Sequence, residues 1–156
     1  MPLILSGSQG ISSNGATYLA PNNAGYITQP GIPAFFVTGP SAYVSYGNAV
    51  KITHFQTAIF NNGGHYSLVN SRFTAPIAGH YQFNTHHLHN VSQVGSISYY
   101  INGSERTRKY VESSRSNNID MVAFLNVGDF VELYTQDGAQ TLYGGPYAGF
   151  SGHFIG

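Results

Sequence analysis

The chain has 156 residues, a one-domain length that can bury a core without disulfides or structural metals. Charged residues make up 8% of it, against about 25% in an average soluble protein, while aromatic residues reach 14%. Zero net charge excludes long-range steering toward nucleic acid or an anionic membrane, and the lack of cysteine excludes a disulfide framework or a thiolate zinc site.

Residues 1–31 are rich in Ser, Gly, Asn and Pro and have no 3.6-residue apolar period, so no helix is expected there. No Lys, Arg, Asp or Glu precedes Lys51. Disorder goes with high charge and few aromatics, and this segment has the opposite composition. It carries Leu3, Ile4, Leu5, Ile11, Tyr18, Leu19, Tyr26 and Ile27. We read residues 1–31 as an irregular docking arm whose apolar side chains a partner covers, with the run LIL at 3–5 suited to extending a partner's sheet edge. The opening MPLIL is too short and uncharged for a secretory signal, and no apolar run approaches the ~18 residues of a membrane span. Synthesis in a cytoplasm without membrane insertion is the expectation.

Residues 32–156 change to short β runs separated by turn signals. The runs are PAFFVT (33–38), AYVSY (42–46), HFQTAIF (54–60), RFTA (72–75), HYQFNTHHLH (80–89), SISYYI (96–101), ERTRKYVE (105–112), IDMVAFLN (119–126), DFVELYTQ (129–136) and AGFSGHFI (148–155). Asn102-Gly103 and Asp137-Gly138 are hairpin dipeptides. Strands every eight to twelve residues with no helical window predict an all-β sandwich or barrel. Within RFTAPIAGHYQF (72–83), Pro76 has no N–H for a ladder and ends a strand, and Gly79 supplies a corner or a close backbone approach. Tyr81 and Phe83 then share one face of the next strand, with Gln82 and Asn84 on the other.

Several blocks of this sequence resemble the complement globular-head domain, the head of complement component 1, subcomponent q, one of the tumour-necrosis-factor-like jelly rolls. FNNGGHYSLVNSRFTAPIAGHYQF (60–83) matches its signature through Phe73, Pro76, Gly79, Tyr81 and Phe83. Pro33, Ala34 and Phe35 match the family's opening, YYING (99–103) its mid-chain turn, LNVGDFVEL its Gly128-Asp129 block, and FSGHFI its ending, through Phe150 and Gly152. The resemblance implies a jelly-roll β-sandwich of about ten strands that assembles as a homotrimer. The family's secretory signal and Gly-X-Y stalk are not in this sequence. The opening arm instead resembles the openings of many bacteriophage tail and capsid proteins.

Few constellations carry chemistry. His86, His87 and His89 cluster at the end of a strand, and His87 and His89 share a face. Around a three-fold axis that pair would present imidazoles to a metal, and the alternative is a set of polar, partly exposed strand residues. Asp129 reads as a turn residue satisfying backbone N–H groups. The stretch ERTRKYVESSR holds four of the six basic residues and reads as alternating charges on an exposed hairpin, with phosphate or acidic sugar as the rival ligand. No nucleophile elbow, phosphate loop or zinc motif occurs, so neither an enzyme nor a cofactor is expected. Tyr99, Tyr100, Tyr110, Tyr134, Tyr143 and Tyr147 exceed what a small core needs and suit subunit or glycan contacts.

These readings converge on a non-enzymatic, homotrimeric virion protein of a bacteriophage, either a capsid decoration protein or a short head or tail fibre. Its expected partners are its own copies, a capsid or tail protein of the same particle, and a host-surface glycan. The alternative is a soluble or spore-surface, lectin-like recognition head.

Overall fold

Alternation of inward apolar and outward polar residues along nearly every run folds the chain into strands. The structure, a computed structural model, describes residues 11–13, 16–21, 27–28, 31–39 and 42–156. The strands are β1 (Ile11–Ser13), β2 (Ala16–Pro21), β3 (Ile27–Thr28), β4 (Ala34–Gly39), β5 (Val44–Tyr46), β6 (Thr57–Asn62), β7 (Tyr66–Ser67), β8 (Arg72–Thr74), β9 (Gly79–Ile101), β10 (Ser104–Leu125), β11 (Phe130–Gln136), β12 (Gln140–Leu142) and β13 (Gly145–Phe154).

Part of the arm expected to be irregular is a small antiparallel sheet, β1-β2-β3, in which Ile11 stands opposite Leu19. Tyr18 lies in β2 and Ile27 in β3, while Leu3, Ile4, Leu5 and Tyr26 lie outside the described residues. The dipeptide Asn14-Gly15, a hairpin signal, separates β1 from β2 in the sequence.

The remaining strands, apart from the β5–β12 pair that joins β9 at His89, form two antiparallel layers sharing one long hairpin. Residues 81–87 of β9 pair with β13 on one side, and residues 79–88 pair with the second half of β10 on the other. Residues 96–101 of β9 pair instead with β11 and with the first half of β10. The first layer is therefore β6-β4-β13-β9-β10, and the second is β7-β8-β11-β9-β10. The sequence reads four separate strands here, and the structure joins them in pairs. Register shifts between Val111 and Ser116 mark the crossing, where bulges bend the ladder without ending it. Asn102 and Gly103 close the hairpin with φ of 52° and 76°, the doubly positive pair a tight hairpin turn needs.

Phe35 lies at the centre of the space between the layers. Its ring stacks on Tyr66 at 4.9 Å and on Phe73 at 5.2 Å, both from the second layer, and meets Phe150 edge-on at 4.9 Å. Phe83, Tyr81 and Tyr99 extend the cluster through Phe73 and Phe150, and all these rings are buried. Gly152 leaves room for it, because a Cβ there would lie 2.5 Å from the Phe83 ring and 2.8 Å from that of Phe35.

The signature residues are thus mostly core and corner. Strand β8 ends at Thr74, two residues before Pro76. Tyr81 sends its hydroxyl back to donate to the Ile77 carbonyl at 2.9 Å, clamping the corner that follows. Gly79 adopts φ of +151°, and a Cβ there would lie 2.5 Å from the Phe154 ring and 2.9 Å from the Gly156 carbonyl oxygen. Both the dihedral and the close approach exclude a branched side chain. Gly79→Val should therefore lower the unfolding free energy by about 2 kcal/mol or more, or prevent folding, and urea denaturation beside the parent chain measures it.

Candidate functional site

The outward face of the first layer is a continuous surface built from five strands. Alternation places His80, Gln82, Asn84, His86 and Leu88 of β9 along its middle. Val122 and Phe124 of β10 flank one side, 63% and 56% exposed. Phe36 and Phe60 pair at 6.4 Å on the other, beside the exposed Ile59. Asp120, on the half of the β9–β10 ladder that belongs to this layer, accepts from the Asn84 amide at 2.6 Å. A face of low charge with apolar flanks has the composition of a subunit interface core.

Strand β10 is the terminal strand of both layers, so its two halves border an open edge. A groove of about 710 Å³ lies there, lined by Ile101, Arg106, Thr107, Asp120, Met121 and Phe124 among others. Its shape and mixed lining suit an inserted protein surface more than an enclosed small ligand.

His87 and His89 do share a face, but it is the core face. They continue the parity of Tyr81 and Phe83, and both are fully buried. The partly exposed reading is therefore corrected, since both rings are buried within the chain. His87 Nε2 bonds Thr85 Oγ1 at 2.8 Å, and that hydroxyl donates to the Gly149 carbonyl at 2.8 Å. Phe55 packs between His87 and His54, with centroid distances of 5.5 and 6.1 Å. His54 Nε2 lies 2.6 Å from the Tyr143 carbonyl oxygen. Among the described residues, no group of three or more His, Asp or Glu gathers to hold a metal.

One cation of the basic hairpin, Arg108, is held between two carboxylates. Arg108 bonds Glu105 at 2.6 Å and Asp137 at 2.9 Å, while Ser98 and Ser96 donate to those same carboxylates at 2.7 and 2.5 Å. Arg108 bonding, first, and then Ser98 hold Glu105 below the usual carboxylate range. Asp129 fastens two turns together. It accepts from the Asn102 amide and the Asn126 backbone N–H, both at 2.7 Å, which lower its carboxyl pKa in that order. Gly128, with φ of +89°, donates to the Ala75 carbonyl in the same turn.

The tyrosines divide. Tyr99 is core, its hydroxyl donating to the Ile119 carbonyl at 3.1 Å. Tyr100 and Tyr134 pack together at 4.2 Å on the second layer, and Tyr110 is exposed. Tyr143 and Tyr147 join Tyr43 in a cluster beside the β12–β13 turn.

The buried histidines give the molecule a pH dependence. Burial depresses both His54 and His87, and for His87 the neighbouring histidines push further in the same direction. Both stay neutral in the folded protein after the unfolded chain has begun to protonate near 6.5. Stability is thus complete above about pH 6.5 and falls as pH drops toward the depressed folded values. Urea unfolding at pH 7, 6 and 5 should show stability falling below about pH 6.5, by at most about 1.4 kcal/mol per pH unit per histidine, with a shallower slope in His87→Gln.

With the geometry in place, known proteins give the relationship. The sequence profile of the C1q domain matches residues 34–155. Among solved structures, the globular domain of zebrafish complement 1qA protein is similar at a TM-score of 0.58 and 20% identity, covering 80% of this chain and 98% of that one. Murine APRIL is similar at a TM-score of 0.61 and 12% identity, covering 80% and 99%. Eiger TNF from S. frugiperda is similar at 0.55 and 14%, covering 80% and 93%. A sequence search among curated proteins finds no match. The profile match spans most of the chain, the two-layer jelly roll agrees with it, and the chain belongs to the C1q domain family.

Proposed function

We propose that this chain is a non-enzymatic structural protein of a bacteriophage particle, a capsid decoration protein or a short head or tail fibre. It assembles as a homotrimer through the outward face of the first layer, attaches through its N-terminal arm and holds its head outward in contact with a host-surface glycan. Domains of this family form homotrimers. The low-charge face with Val122, Phe124, Phe36 and Phe60 on its flanks supplies a surface that three copies would bury.

The observation that carries the attachment is the arm itself. Its 31 residues hold no charged side chain and join the head beside Pro33, whose carbonyl accepts from the Phe154 backbone N–H at 3.0 Å. The arm therefore leaves from the same end as the C-terminus, and the opposite end of the sandwich is left to face away. Each arm side chain buried on a capsid or tail protein contributes roughly 1–2 kcal/mol before the cost of ordering the chain. A soluble or spore-surface recognition head is the second reading, favoured by the family's globular head over residues 34–155.

Deleting residues 1–28 should leave a folded trimeric head and abolish incorporation into virions, assayed by mass spectrometry of purified particles. Normal incorporation would give attachment to the head and take it from the arm. A truncated chain that does not fold would make the β1-β2-β3 segment part of the domain.

A further inference from the structure

Three of the seven histidines stand on the outward face of the first layer. His80 and His86 occupy outward positions of β9, and His153 of β13 stands opposite Gln82 on the same face. Two of the three are tied to the apolar part of that surface. The His80 ring meets that of Phe124 edge-on at 5.3 Å, and its backbone N–H donates to the Gly156 carbonyl at 2.7 Å. His86 shares the space over Gly149 with Phe36, since a Cβ there would lie 2.4 Å from the His86 ring and 2.8 Å from that of Phe36. The His86 Nε2 lies 3.4 Å from the Pro146 carbonyl oxygen. His153 is exposed, with Gln82 on one side and Ala34 on the other.

Little on this face could neutralise an imidazolium. Strands β4, β6 and β13 and residues 79–89 of β9 contain no Asp, Glu, Lys or Arg, and residues 116–125 of β10 contain only Asp120. That carboxylate already accepts from the Asn84 amide. Arg115 precedes the β10 stretch and donates through Nε–H to the His89 carbonyl at 3.4 Å. Tyr147 borders a hollow with His86 and adds a phenol. Three copies joined through this face would each bring three imidazoles and one carboxylate into the contact.

We propose that the first-layer contact is acid-sensitive, and that protonation of His80, His86 and His153 drives the three copies apart. Imidazole changes charge between about pH 5 and 8. Neutral rings suit a buried contact of aromatic and amide side chains, whereas a buried charge without a partner is strongly unfavourable. Dissociation therefore takes up protons. The trimer is complete above the imidazole range and is lost as pH falls through it. This switch rests on the homotrimer contact proposed above and adds its regulation. It is distinct from the buried pair His54 and His87, whose protonation loosens the fold inside one copy.

Sedimentation equilibrium of the full chain at pH 8, 7, 6 and 5.5, with near-UV circular dichroism to report folding, tests it. The trimer–monomer dissociation constant should rise at least about a thousandfold between pH 7 and 5.5, the effect of about one proton per copy over one pH unit. The triple variant His80→Gln, His86→Gln, His153→Gln should keep one dissociation constant throughout, and each single variant should lower the rise. His87→Gln, a change in the core, should dissociate over the same pH range as the parent. A parent that stays trimeric until it unfolds would overturn the proposal, as would single variants that all keep the parent's pH dependence. A dissociation range that moves with His87→Gln would also overturn it, by giving the effect to the core. A parent already monomeric at pH 8 would instead remove the trimer itself, and the switch with it.

Discussion

The two layers are held by a stack of aromatic rings centred on Phe35, and most other features follow from that packing. Phe35 and Phe150 of the first layer meet Tyr66 and Phe73 of the second within 6 Å, so each ring loses its solvent shell to another ring and not to flexible aliphatic chain. Edge-on and offset pairs add about 0.5–1.5 kcal/mol each beyond area burial. Such a core tolerates no bulk where the backbone passes over it, which explains Gly152. It also fixes the parity of every strand that contributes a ring. Once Phe83 points inward, His87 must do so too, and Asn84 and His86 must face out.

That parity links the core to the proposed function. The same alternation that buries Phe35 and Phe83 turns Phe36, Gln82 and Asn84 toward the outer face, and the near absence of charge there is what an interface between copies requires. The core itself is divided. Around Phe35 it is aromatic, while toward the β12–β13 turn it contains His54, Thr85, His87 and Asn117. An imidazole in that position holds the turn by hydrogen bonding but binds stability to pH, a dependence that a phenylalanine would lack.

How much of this was legible in the sequence differed by range. Phe73, Pro76, Gly79, Tyr81 and Phe83 act within twelve residues, so their spacing revealed the corner, and the dipeptide at 102–103 revealed the hairpin. The merging of four expected strands into β9 and β10 was not legible, because bulges between 111 and 116 are tolerated only where both layers supply partners. The burial of His87 and His89 was available from the parity of Tyr81 and Phe83 and was obscured by the polarity of the run HHLH. The cluster of Tyr43, Tyr143 and Tyr147 was not available, since only the β5–β12 pairing joins them. In the arm, hairpin chemistry at 14–15 was outweighed by a composition argument that treats a segment as uniform.

The account rests most heavily on the outward face of the first layer as the contact between copies. Sedimentation equilibrium of the parent chain beside the double variant Val122→Asp, Phe124→Asp tests that directly. Both side chains are exposed, so the variant retains the core and its circular dichroism should match the parent. The account predicts a parent mass three times the 16.8 kDa chain at micromolar concentration and a folded monomer for the variant. A monomeric parent, or a variant that remains trimeric, would contradict it.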